Sequence, residues 1–209
     1  MQFRNLTLAA LAFATVAFAQ SDSAFQVRYA ANLAAGESYI NIVNTGANGA
    51  PLLGPGFGGA SGNICVNVYA FDPAEELVAC CSCLVTPDQV VNLGVNRDLT
   101  SKTLTGVIPT SVTVKLLASR AGDGGTGTSC TNSAATVTTP VSGLAAFGTT
   151  LHAAVPSGYA TTETPFTPST LSAGELASIT GRCASIIGNA SGFGICSSCR
   201  AGALGSSKQ

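Results

Sequence analysis

The stretch from Ile64 to Val85 constrains this chain more than any other. From Ile64 to Phe71 the side chains alternate, so that Ile64, Val66, Val68 and Ala70 share one face and Cys65, Asn67, Tyr69 and Phe71 the other. Asp72-Pro73-Ala74-Glu75 follows, with the proline fixing φ at the second position of a turn. A second β-type run, Leu77 to Val85, comes directly after it. The reading is an antiparallel hairpin.

Four further runs between turn residues read as strands: Phe25 to Tyr29, Tyr39 to Val43, Val90 to Val95 and Val112 to Ala118. Short strands at this spacing predict a mostly β fold, an antiparallel sandwich or barrel. Gly46 to Gly62 interrupts them with seven glycines and two prolines. Gly54, Gly56 and Gly59 there match the spacing of a dinucleotide-binding turn, but Pro55 sits inside it and a strand follows where a helix is required. The segment reads as a loop.

Arg120 to Gly143 is rich in Gly, Ser and Thr and reads as a long connection with Cys130 in its middle. Beyond it, Thr149 to Val155 reads as one more strand. Ser172 to Glu175 is a capping box, with Leu171 and Leu176 as its hydrophobic staple. Leu176, Ile179, Cys183 and Ile187 then fall on one helical face, and Gly188 is placed to end the helix. This C-terminal helix is expected to pack on the sheet with Cys183 facing inward. A bridge from Cys183 to Cys130 would contribute roughly 4 kcal/mol by loop-closure entropy.

Residues 1–19 read as an export signal. Arg4 precedes an apolar stretch from Leu6 to Phe18, and Ala17-Phe18-Ala19 gives the small-x-small cleavage pattern before Gln20. The expected organisation is then a β-rich region over 20–119, the connection over 120–143, and a C-terminal strand and helix region over 144–209 that folds as one domain with 20–119. The expected location is extracellular, at the cell surface or in a periplasm. No segment after the signal has the ~20 apolar residues that cross a bilayer, and Ser206 to Gln209 is polar, so no transmembrane anchor is expected.

The eight cysteines, Cys65, Cys80, Cys81, Cys83, Cys130, Cys183, Cys196 and Cys199, are all candidates for disulfides, the default for an even number in an exported chain. They are about 4% of the residues, half the density of a fold held mainly by bridges, so they reinforce a core. Alternation puts Cys81 and Cys83 on one face of their strand and Cys80 on the other. Cys65, on the neighbouring strand, is expected to bridge to one of these three, the choice depending on hairpin register. Cys80-x-x-Cys83 and Cys196-x-x-Cys199 have the internal spacing of zinc ligands. Opposite strand faces within the first pair, and the oxidising compartment, favour bridges over metal, and no metal or other cofactor is assigned.

The runs ESYINIVNTGANGAPLLGPGFGGASGNICVNVYAFDP, CCSCLVTP and GFGICSSCRAG resemble exported bacterial proteins of uncharacterised function. The resemblance implies no activity, cofactor or substrate.

Charged residues make up 9% of the chain, against about 25% in an ordinary soluble domain. The formal net charge of −1 comes without runs of either sign, which argues against nucleic acid as a partner. Few charges also leave strand edges without the lysines that usually block pairing between molecules. The function read from this is a structural, self-assembling role, as a filament or surface-layer subunit, with the chain itself as partner. Phe25, Val27 and Tyr29 alternate in an N-terminal arm from Gln20 to Ala30 that can serve as the first strand of its own sheet or as a strand added to a neighbour. The alternatives are a monomeric secreted module binding carbohydrate or another ligand, and a secreted hydrolase. For the hydrolase His152 is the one histidine, and no residue set for catalysis is found around it. The chain is therefore read as not an enzyme.

Overall fold

Each run read as a strand forms one, with ends shifted by a few residues. In the computed structural model, which describes residues 22–53, 61–122, 129–155, 158–197 and 199–201, the strands in chain order are β1 (Phe25–Ala30), β2 (Ser38–Asn44), β3 (Ile64–Phe71), β4 (Leu77–Val85), β5 (Val90–Gly94), β6 (Val112–Arg120), β7 (Leu144–Val155), β8 (Gly158–Pro165), β9 (Thr167–Pro168) and β10 (Arg200–Ala201). A short helix α1 (Ser133–Thr136) precedes β7, and a long one, α2 (Ala173–Gly188), follows β9. Residues 1–19, read from the sequence as an export signal, and the glycines Gly54, Gly56 and Gly59 lie outside the described residues.

The β3–β4 hairpin runs in register from Ile64 opposite Val85 to Ala70 opposite Ala79, then shifts so that Phe71 meets Leu77. Its turn is held by Asp72, whose Oδ1 accepts the backbone N–H groups of Ala74 and Glu76 at 2.9 Å each. This pair extends into an antiparallel sheet of order β4-β3-β6-β1-β9, and a second sheet has the order β10-β5-β2-β7-β8. The two pack face to face as a sandwich. Ile64, Val66, Val68 and Ala70 of β3 meet Ile40 and Ile42 of β2 in the core between them. Fully burying such an aliphatic side chain contributes about 1.5–3 kcal/mol.

The first sheet is covered on its other face as well, so β3 is buried at every position. Ile179, Cys183 and Ile186 of α2, with Ala134 of α1, pack on Tyr69, Phe71 and Leu117. The helix starts as its sequence dictates, since Ser172 Oγ accepts the backbone N–H of Glu175 at 3.1 Å. The Glu175 carboxylate pairs with Lys115 on β6, which ties the first turn to the sheet. Two details differ from the sequence reading. Ile186 joins the stripe facing the sheet and is buried more deeply than Ile187, which packs on the same cluster but is only partly buried. The helical period from Ile179 through Cys183 brings Ile186 nearer the centre of that face. The helix does reach Gly188, but the left-handed turn after it falls on Ala190, at φ 54°.

Within the segment read as a connection, residues 129–141 follow a defined path over the sheet. Ser82 Oγ accepts the backbone N–H of Ala134 at 2.7 Å, and the buried Tyr69 hydroxyl donates to the Ala134 carbonyl at 2.7 Å. Asn67, also buried, accepts from Ser82 and donates to the Leu117 carbonyl and to Ser119. Polar groups on the outer face of β3, β4 and β6 need partners: α1 supplies them to Tyr69, Ser82 and Ser119, and Asn67 finds its own within the sheet.

Candidate functional site

A two-sheet sandwich has two open sides, and what closes each decides where this molecule can meet another. On the β4 side, the chain after α2 passes from one sheet to the other. The Cys80 N–H donates to the Gly194 carbonyl at 2.8 Å, Ile195 bridges to Cys80, and the Ser197 N–H donates to the Asp98 carbonyl. Arg200 and Ala201 then pair with Asn92 and Val91 of β5. Gly194 sits here at φ 73°, and a Cβ on it would come within 2.9 Å of Ile186, so both its conformation and its contact call for glycine.

Two disulfides clamp this closing segment: Cys81–Cys196 and Cys83–Cys199. Cys81 and Cys83 share the inner face of β4, as alternation requires, and Cys80 points the other way into α2, where it bridges Cys183. Three sulfurs, those of Cys81, Cys83 and Cys199, lie within 4.8 Å of one another.

The remaining bridge, Cys65–Cys130, corrects two expectations. Cys65 does not join a β4 cysteine. Register sets it opposite Leu84, on the outer face with Asn67, while Cys81 and Cys83 face inward and Cys80 lies farther along, opposite Tyr69. Cys183 does not join Cys130 either, because α2 crosses the outer face of β4 above Cys80, whereas the Cys130 segment reaches the start of β3. The zinc-like pairing of Cys80 with Cys83 is split between two bridges on opposite faces. Four bridges fit a non-cytoplasmic protein. No helix among the described residues is long and apolar enough to cross a membrane.

The opposite side is closed only in part. β8 leaves the second sheet at Pro165, Phe166 plugs the core, and Thr167 and Pro168 pair with Val27 and Gln26 of β1. β1 is thereby an internal strand of its own sheet: Phe25, Val27 and Tyr29 stand opposite Leu117, Lys115 and Thr113 of β6.

β8 itself has β7 on one side and no strand on the other among the described residues. Ala160 to Pro165 are all exposed and carry one charge, Glu163. The β7–β8 hairpin also outruns its support, since β2 pairs with β7 only as far as Thr150 while β8 pairs with it out to Val155. His152 lies on this extension, hydrogen-bonded through Nε2 to Thr162 of β8. The sequence concealed β8 because an edge strand exposed on both faces has no apolar alternation. Its threonines and its length, adjoining a strong strand, were the available signal.

The outer face of the second sheet carries a polar ladder across four strands. Asn92 donates to Asn41 at 3.0 Å, Asn41 to Thr149 at 3.2 Å, and Thr149 to Glu163 of β8 at 3.4 Å. Tyr39 and Phe147, half-buried, flank it on the same face. Asn41, Asn92 and Thr149 are buried, so the ladder joins the strands beneath the surface and ends at the exposed carboxylate on β8. No family model, curated protein or solved structure matches this chain.

Proposed function

We propose that this is an extracellular structural protein that assembles with itself through the free edge of β8, as a subunit of a filament or surface layer. The observation that carries this reading is the contrast between edges. The β4 edge is clamped by two disulfides and β10 caps β5, whereas β8, eight residues rich in threonine, pairs with β7 on one side and has no strand on its outer side among the described residues. Unpaired N–H and C=O groups along an exposed edge are a template for another strand, and natural monomers usually obstruct them with lysine, a bulge or a cover. Here a single glutamate, a terminal proline and the register shift of the β7–β8 pair between Leu151 and Ala154 stand in the way. The low charge of the whole chain leaves little long-range repulsion between copies.

The test is sedimentation velocity on the oxidised protein, beside a variant carrying Thr161→Lys and Thr164→Lys. Assembly by the native chain and its loss in the variant, with unchanged circular dichroism, supports the reading; a native monomer at every concentration overturns it.

A second reading, a binding module for a carbohydrate or similar polar ligand, is favoured by Tyr39 and Phe147 beside the polar ladder. Aromatic faces next to hydrogen-bonding groups suit sugar rings. Glycan binding by a monomer, abolished by Tyr39→Ala with Phe147→Ala, would favour this reading.

A further inference from the structure

We propose that Cys81, Cys83, Cys196 and Cys199 become a four-thiolate site for one thiophilic divalent cation when their two bridges are reduced. Cys81 and Cys83 project from the same face of β4, two residues apart, and Cys196 and Cys199 come from a C-x-x-C segment held against that strand. The sulfurs of Cys81, Cys83 and Cys199 lie within 4.8 Å of one another, and that of Cys196 is bonded to Cys81. A tetrahedral zinc–thiolate centre, with Zn–S near 2.3 Å, sets its sulfurs roughly 3.8 Å apart. Each broken bridge therefore has to open by about 2 Å, a distance within the reach of side-chain rotation.

The frame that holds the four residues has ties besides these two bridges. Cys80 remains hydrogen-bonded to Gly194 and bridged to Cys183, Ser197 remains on the Asp98 carbonyl, and β10 remains on β5. Access separates these two bridges from Cys80–Cys183, both of whose sulfurs come from buried residues: Cys81, Cys196 and Cys199 are partly exposed, as is Cys130 of the fourth bridge.

The chemistry balances with a dithiol as reductant. Thiolate attack on each bridge forms a mixed disulfide, and the reductant's second thiol closes on itself and leaves as a cyclic disulfide. Two bridges thus take up four electrons and four protons from two dithiols. The four cysteine thiols then release four protons as Zn²⁺ binds, leaving a centre of net charge −2. Thiolates are the preferred ligands of such cations.

The experiment is partial reduction of the native protein with a dithiol, its removal under argon, and titration with Zn²⁺ or Co²⁺ alone. Mass spectrometry after thiol alkylation identifies which bridges opened. The expected result is one metal per chain, a Co²⁺ spectrum of tetrahedral thiolate type, and protection of these four cysteines from alkylation. A Cys196→Ser, Cys199→Ser variant should bind none, and a Cys65→Ser, Cys130→Ser variant should bind as the native chain does. Substoichiometric binding by the reduced native protein, equal binding by the Cys196→Ser, Cys199→Ser variant, or loss of near-ultraviolet dichroism on reduction that the metal does not restore would each overturn the proposal.

Discussion

The guanidinium of Arg28, on β1, occupies the space where a side chain at Gly148, on β7 of the opposite sheet, would begin: a Cβ there would lie 0.8 Å from Arg28 Nη1. Arg28 donates to Thr150 Oγ1 at 3.0 Å. Burial lowers its pKa from the ordinary guanidinium value, and Glu163 on β8 opposes that shift. One charged side chain thus links the first sheet to the β7–β8 hairpin on the less fully closed side of the sandwich.

Gly148→Ala is expected to destabilise the fold by roughly 1–3 kcal/mol, the usual penalty for overfilling a packed site. The methyl must displace Arg28, so the penalty should shrink in an Arg28→Ala background. A double-mutant cycle by urea denaturation measures the coupling. Additive effects would show that the two positions do not share this space.

The two bridges of the β4 clasp close nearly the same loop, with separations of 115 and 116 residues. Loop-closure entropy gives a lone bridge of that span about 5 kcal/mol, but with Cys83–Cys199 in place Cys81–Cys196 closes only a small ring. Replacing Cys81 and Cys196 by alanine is therefore expected to cost only about 2–3 kcal/mol. The pair Cys65 and Cys130, separated by 65 residues and sharing no loop end with the other bridges, is expected to cost about 4 kcal/mol. Denaturant midpoints under non-reducing conditions give the order.

Burial pushes the Tyr69 phenol well above its ordinary pKa, and its hydroxyl donates to the Ala134 carbonyl. The folded state holds the proton more tightly than the unfolded chain, so this stabilisation is complete below about pH 10, the unfolded value, and falls as pH rises beyond it. The slope is about 1.4 kcal/mol per pH unit while only the unfolded chain ionises. Tyr69→Phe is expected to remove that slope and to cost about 1 kcal/mol at neutral pH through the lost hydrogen bond. Stability measured from pH 8 to 11.5 in both proteins checks the sign.

The parts of the fold that the sequence made legible are those where burial imposes a period. β3 alternates because its two faces meet different surroundings, the sheet core and the helices, and α2 carries both its capping serine and its apolar stripe. The cysteine faces on β4 followed from the same alternation. Pairing did not, because Cys65 and Cys183 found partners through hairpin register and helix placement, which depend on contacts distant in sequence. β9 and β10, two residues each, are too short to show any pattern. α1 forms because Ser82 and Tyr69 need partners, a demand that the Ser133–Thr136 segment itself does not display. β8, the centre of the proposed function, is exposed at every position from Ala160 to Pro165, so burial left no period there to read.

Hydrogen–deuterium exchange across a concentration series tests the account most directly, read at the amides of Gly158 to Thr164. If β8 pairs with a second copy, outward-facing amides of this strand exchange fast in dilute protein and become protected as assemblies form, while β3 is unchanged. Assembly with the β8 amides still exchanging at the dilute rate would contradict the assignment of this edge.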